Sequence, residues 1–290
     1  LHYDRHSNEG HAMTEPRDRT IDTGTDELLC EIRSRVAVIT LNRPHARNSL
    51  SDHLTPALRR MIKQCGEDTG VGALLITGAG NAFCAGGDVK SMGGNSSAPK
   101  AEVSFEERVA TLRERQRTLT GALMALRKPT VASLPGAAAG AGLALALACD
   151  IRIAAESAIM ATGYARIGLS GDYGAAWLLT RLAGPARARE LMLLGERIDA
   201  RRGEALGLIN RVVPDDQLRE TAFAMARTLA EGPALAYSAM KDNLDHALNA
   251  TFPDSIDYEA ENMVRTARTA DHKEAVRAFV DKRKPTFRGA

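Results

Sequence analysis

The chain has 290 residues, 44% hydrophobic and 26% charged, an ordinary globular composition with material for one large domain or two small ones. Lysine plus arginine at 38 against 36 acids leave a formal net charge of +2, so no global field draws in nucleic acid or an anionic membrane. The four cysteines, Cys30, Cys65, Cys84 and Cys149, have no CxxC spacing and no paired pattern, which speaks against a disulfide framework or a zinc site and for a reducing cytoplasm.

Residues 1–25 read as a tail or disordered segment. The first twelve carry three of the seven histidines, irregularly spaced and polar, with neither a metal-ligand pattern nor an apolar run resembling a signal peptide. Residues 28–32 and 36–41 then read as a strand pair, 54–64 as a helix, and 73–77 as a buried strand ending at Gly78. A loop with Gly and Ser over 91–99 precedes a long charged helix reaching about residue 126. Further short strands are expected at 130–133, 151–154 and 208–213. The uncharged run 129–149 is rich in alanine and interrupted by Pro135, Gly136, Gly140 and Gly142; it reads as strand, tight turn and buried helix rather than a membrane span. The arginines of 181–202 interleave with Glu190, Glu196 and Asp199 at helical spacing, which fits a solvated helix face better than a nucleic-acid site. Beyond about residue 214 only helical patterns remain, near 215–230, 233–249, 254–268 and 271–282. Strands separated by helices imply crossover connections, hence an α/β core over 26–213 followed by a helical C-terminal region over 214–290.

Three glycine-rich turns carry the chemistry. The first, GAGNAFCAGGDVK over 78–90, follows a strand but has no phosphate-loop register, since Phe83 stands where the third dinucleotide glycine belongs. Its Gly86-Gly87 pair leaves a backbone N–H open to a ligand oxygen; a plain turn is the alternative. The second, PGAAAGAG over 135–142, runs into the apolar helix 143–148. Small residues there let a ligand approach unpaired N–H groups, and close packing of helix on strand is the alternative. One N–H from each turn would form an oxyanion hole for a carbonyl that becomes an enolate. The third, LSGDYGAAW over 169–177, places Asp172 ahead of an apolar segment, where local sequence alone favours a helix N-cap.

The blocks ITLNRPHARNSL (39–50), NAFCAGGDVK (81–90), KPTVASLPGAAAGAGLALALACDIRIA (128–154) and FVDKRKPTF (279–287) occur in an order that resembles the enoyl-CoA hydratase/isomerase, or crotonase, superfamily over about residues 26–288. The resemblance implies a spiral of ββα units with a helical C-terminal oligomerisation region, assembly as a homotrimer or dimer of trimers, and acyl-CoA thioester substrates. Coenzyme A is then part of the substrate, with no separate cofactor and no metal. Carried over by position, Gly87 and Ala141 supply the oxyanion-hole N–H groups, and Asp88, Val89 and Lys90 line the CoA site. Ala46 and Arg47 lie at the adenine end, Lys282 lies near the phosphates, and Ala85, Gly140 and Tyr164 join the substrate-binding set.

Two departures from the hydratase pattern matter. The paired glutamates that hold and activate water correspond to Ala144 and Tyr164; alanine shuttles no proton, and a tyrosine with a pKa of about 10 is a poor base at neutral pH. Asp172 instead matches the catalytic aspartate of dienoyl-CoA isomerases, the phenylacetate-pathway ring-epoxide isomerase and 4-chlorobenzoyl-CoA dehalogenase. Its surroundings, IGLSGDYGAAWLLTRLAG, and the GAAAGAG turn are most similar to the ring-epoxide isomerase branch. The resemblance therefore implies isomerisation with Asp172 as proton shuttle. The alternatives are a hydratase with non-standard acids, an aspartate-nucleophile dehalogenase or hydrolase, and a non-catalytic acyl-CoA binder. The dehalogenase route uses a histidine to activate water, and none occurs between His53 and His246. The segment 91–126 is expected to shape the acyl pocket.

Overall fold

The computed structural model describes residues 18–87 and 103–290. Its strands, in chain order, are β1 (Arg19–Ile21), β2 (Leu28–Arg33), β3 (Val36–Leu41), β4 (Ala73–Gly78), β5 (Ala82–Cys84), β6 (Thr130–Leu134), β7 (Ala137–Ala139), β8 (Ile151–Ala155), β9 (Ile159–Ala161), β10 (Arg197–Asp199) and β11 (Arg211–Val213). They form a seven-stranded sheet of order β1-β2-β3-β4-β6-β8-β11 and a four-stranded sheet of order β10-β9-β7-β5. From β3 onward the long sheet is parallel, and β5, β7 and β9 pair in parallel in the short one. Three successive passes of the chain, β4 to β5, β6 to β7 and β8 to β9, each leave one strand in the long sheet, turn, and leave a three-residue strand in the short sheet.

The helices are α1 (Leu54–Glu67), α2 (Phe105–Gln116), α3 (Ala122–Ala125), α4 (Ala141–Leu147), α5 (Ala175–Leu194), α6 (Ala200–Ala205), α7 (Leu218–Ala230), α8 (Ala234–Ala247), α9 (Phe252–Thr266) and α10 (Ala270–Val280). A π turn, Arg117–Gly121, joins α2 to α3, and α5 is broken at Gly184, φ 77°, ahead of Pro185.

The central strands VAVITL and ALLITG are apolar on both faces, as strands covered on both sides must be. One face, with Ile39, Leu41, Leu74 and Ile76, joins the main core with Leu54, Leu58, Met61 and Ile62 of α1. The other face, with Val36, Val38, Leu75 and Val131, is covered by Leu218, Ala222, Ala226 and Ala230 of α7, spaced four apart along one stripe. Contact is close enough that a Cβ on Gly72 would lie 2.3 Å from the Ala230 carbonyl oxygen. The helical C-terminal region is thereby anchored on the sheet. Thr251 and Thr269 cap α9 and α10 through their side-chain oxygens, and Leu244, Phe252, Met263 and Phe279 of α8 to α10 are exposed.

Several elements differ from the sequence expectation. Arg19–Ile21, inside the 1–25 stretch assigned to a tail, pairs antiparallel with β2. The short strands β5, β7, β9 and β10 were not anticipated. The strand expected at 208–213 begins at Arg211, because the Leu208 and Ile209 N–H groups donate to the Gly203 carbonyl behind α6 instead of to a ladder. The loop expected over 91–99 lies outside the described residues, as do Asp88, Val89 and Lys90.

Candidate active site

The first glycine turn is tied down by a residue the sequence reading missed. Asn48 is fully buried at φ 56°. Its Nδ2 donates to the carbonyls of Ala79 and Ala82 at 2.9 and 2.8 Å, and its Oδ1 accepts the Arg43 N–H at 2.8 Å. Around it, the Ala85 N–H donates to the Arg47 carbonyl at 2.9 Å and the Leu50 N–H to the Gly86 carbonyl at 2.8 Å. The loop carrying half-buried Ala46 and exposed Arg47 is therefore laced to the Gly86-Gly87 turn. Gly86 has φ 88°, and a Cβ there would lie 2.7 Å from the Ala139 carbonyl oxygen and 3.4 Å from the Ala141 nitrogen. Glycine at 86 is what lets the first turn press against the second.

In the second turn, Gly140 (φ 52°) donates its N–H to the Ala161 carbonyl and hands the chain to α4 at Ala141. At Gly142 a Cβ would fall 2.2 Å from the Cys84 carbonyl oxygen, so close helix–strand packing is real at that position. It coexists with an open amide one residue earlier. Neither the Ala141 N–H nor the Gly87 N–H has a hydrogen-bond partner among the described residues. Ala144 is fully buried one turn into α4 and offers no proton.

The third turn answers the question of whether Asp172 is a cap. The N-cap of α5 is Gly174, φ 78°, with no side-chain cap hydrogen bond; Asp172 contributes only its carbonyl, which accepts the Ala175 N–H. Its carboxylate is engaged elsewhere. The phenol of Tyr164, in a 3-10 turn (Tyr164–Ile167) after β9, donates to Asp172 Oδ1 at 2.8 Å. The Tyr164 ring is buried beside Gly140 and Gly171, whose added Cβ atoms would lie 3.8 and 3.7 Å from it. The pair thus sits next to the second turn. Burial pushes the Asp172 carboxyl above the ordinary carboxylate range, partly opposed by the Tyr164 hydrogen bond. Burial and then the Asp172 charge push the Tyr164 phenol up, which keeps it a protonated donor. A carboxylate with a raised pKa and a committed phenol donor can take up and return a proton.

A family model described as enoyl-CoA hydratase/isomerase matches residues 31–290. The chain belongs to the enoyl-CoA hydratase/isomerase family. It is similar to the 1,2-epoxyphenylacetyl-CoA isomerase of Escherichia coli, 36% identical over 90% of this chain and 98% of that protein. It is also similar to the 2,3-dehydroadipyl-CoA hydratase of Escherichia coli, 32% identical over 91% and 99% of the two chains. Among solved structures, an enoyl-CoA hydratase from Bacillus anthracis superposes with a TM-score of 0.83 at 31% identity, over 91% of this chain and all of that one, 100%. The architecture is the crotonase fold of this family of acyl-CoA enzymes.

Another candidate position of this enoyl-CoA hydratase/isomerase chain lies near its C-terminal end. Lys282 is exposed, at φ 52°, just beyond α10. A cavity of about 810 Å³ opens on the opposite face of the long sheet, lined by Thr40, Thr77, Ser133 and Phe223, and holds none of the candidate catalytic residues. Among the described residues no group of three or more His, Cys, Asp or Glu could hold a metal ion, and no helix is long and apolar enough to cross a membrane.

Proposed function

We propose that this chain isomerises an unsaturated acyl-CoA thioester by moving one proton between carbons, with Asp172 as general base. The observation that carries the reading is the Tyr164–Asp172 hydrogen bond, formed while Gly174 takes the capping position. The Asp172 carboxylate removes a proton from a carbon acidified by the thioester, and the electron pair moves onto the thioester oxygen. The N–H groups of Gly87 and Ala141 hold that enolate oxygen. The carboxyl then returns the proton to another carbon of the conjugated system and the carbonyl re-forms. Atoms and charge balance with one carboxylate and two amides, so no separate cofactor or metal is part of the proposal. Tyr164 stabilises the carboxylate before the first transfer and after the second, and Ala144 keeps the α4 side of the site apolar. The Escherichia coli relative named an isomerase supports this reading.

Hydration is the second reading, favoured by the hydratase names among the relatives. It would require the Asp172–Tyr164 pair to activate water without the paired acids. For the CoA end we propose the backbone near Ala46 and Arg47, with Ala85, Asp88, Val89, Lys90 and Gly140 along the thioester arm and Lys282 at the phosphates. We propose further that the chain acts in the cytoplasm as a homotrimer or dimer of trimers.

Incubation with straight-chain, dienoyl and aromatic CoA esters in deuterated water, with products identified by mass, decides between the two reactions. Isomerisation leaves the mass unchanged apart from deuterium on carbon; hydration adds one water.

A further inference from the structure

Asp172 is followed by Tyr173, and the two residues lie between Gly171 at φ 111° and Gly174 at φ 78°. Glycine adopts either sign of φ readily, so a turn flanked by two such residues does not fix its own shape. Tyr173 itself sits at φ 52°, an unfavourable conformation for a bulky side chain, and is buried. Such backbone persists only where the surroundings impose it. The Tyr173 N–H donates to Gln116 Oε1 at 2.8 Å. Gln116 is the last residue of α2, at the point where the α-helix gives way to the π turn Arg117–Gly121, a rare geometry found frequently at functional sites. The turn is therefore held from α2 through its amide, while Tyr164 holds the Asp172 carboxylate.

We propose that Gln116 is a positioning residue for Asp172. By accepting the Tyr173 N–H it holds the 171–174 turn in the shape that presents the carboxylate, and so ties the placement of the base to the end of α2. The inference rests on the reading of Asp172 as general base. Its oxygen is the working group: the orientation of the Gln116 carboxamide is set by the N–H it meets, and any acceptor in the same place serves.

Two substitutions separate positioning from scaffolding. Gln116→Met keeps length and volume but removes the acceptor; Gln116→Glu keeps an acceptor oxygen and adds a negative charge. With the CoA ester that turns over, Gln116→Met lowers kcat by roughly 10- to 100-fold, the range expected when a catalytic group is displaced by up to about 1 Å. KM stays within about threefold and the melting temperature within a few degrees, because methionine keeps the length and volume of the side chain and only the acceptor is lost. Gln116→Glu restores kcat to within about threefold of the parent, and its acid limb moves to higher pH, since a nearby negative charge disfavours ionisation of Asp172. A Gln116→Met enzyme with the parent kcat and pH profile overturns the proposal. Equal losses in both variants, or a loss explained by a lower melting temperature, overturn it as well. Asp172→Asn, measured alongside, keeps the two readings apart: if that variant is inactive while Gln116→Met is normal, the positioning role fails and the base stands. If Asp172→Asn is fully active, the base reading fails and the positioning role falls with it.

Discussion

Asp172→Asn separates the base from the scaffold. Asparagine has nearly the same shape and keeps an oxygen for the Tyr164 phenol, now held at 2.8 Å, but takes up no proton at neutral pH. Loss of a general base costs roughly 10²- to 10⁴-fold in turnover, which is about 2.7 to 5.4 kcal/mol on the barrier. Stability should move far less. A hydrogen bond to an ionised acceptor stabilises by about 1.5 to 3 kcal/mol and a neutral one by about 0.5 to 1.5, so roughly 1 kcal/mol is lost. Against this, a half-buried charge no longer has to be desolvated, the effect that dominates the raised pKa of Asp172. No cap is removed, since Gly174 occupies that position. The net change is within about 1 kcal/mol, a shift of no more than about 4 °C in a chain of this size. Steady-state turnover and a thermal melt measure the two quantities. A variant that turns over normally and only melts earlier would refute the assignment and return Asp172 to a structural role.

Tyr164→Phe removes the hydrogen bond that lowers the Asp172 pKa and leaves burial unopposed, so that pKa rises further. Because the base works ionised and activity falls as pH drops through its pKa, the acid limb of kcat/KM should move to higher pH; an unmoved limb counts against the pairing. Gly142→Ala would set a Cβ 2.2 Å from the Cys84 carbonyl oxygen in a packed core, and should cost about 1 to 3 kcal/mol in denaturant unfolding. An unchanged midpoint would show that β5 yields more easily than its burial suggests. Phe252, Met263 and Phe279, at 77%, 67% and 86% exposure, belong to helix faces that a single chain leaves uncovered, and a closed homo-oligomer should cover them. Sedimentation showing only a 31.1 kDa species at micromolar concentration would contradict this.

What the sequence made legible follows from element length. The six-residue strands VAVITL and ALLITG announce themselves as apolar runs, and α1 and the C-terminal helices by their periodicity. The three-residue strands of the second sheet contain too little alternation to read. β7 is Ala-Ala-Ala, poor in intrinsic strand preference, and exists because β5 and β9 pair with it on either side. The glycine turns were legible as turns, and in the second close packing at Gly142 lies next to an unpartnered amide at Ala141. Asp172 shows the limit of local reading. Asp before Tyr-Gly-Ala-Ala is a good capping pattern, but the cap is decided by the positive φ of Gly174 and by a phenol eight residues upstream. Asn48 and Gln116 gave no signal, because their partners lie up to 34 and 57 residues away.

The glycines at 78, 86 and 142 have a consequence for how such a site can change. At each of them an added Cβ would collide with main-chain oxygen, so the separation of the two open amides is set by backbone against backbone. In the proposed mechanism proton handling, by contrast, rests on two replaceable side chains, at 164 and 172, beside an alanine at 144. A lineage, or a protein engineer, can therefore exchange those side chains one substitution at a time while the two open amides stay in register. Under this division of labour, new chemistry needs no new scaffold, whereas a single methyl group at one of the three glycines would disturb every reaction the scaffold supports.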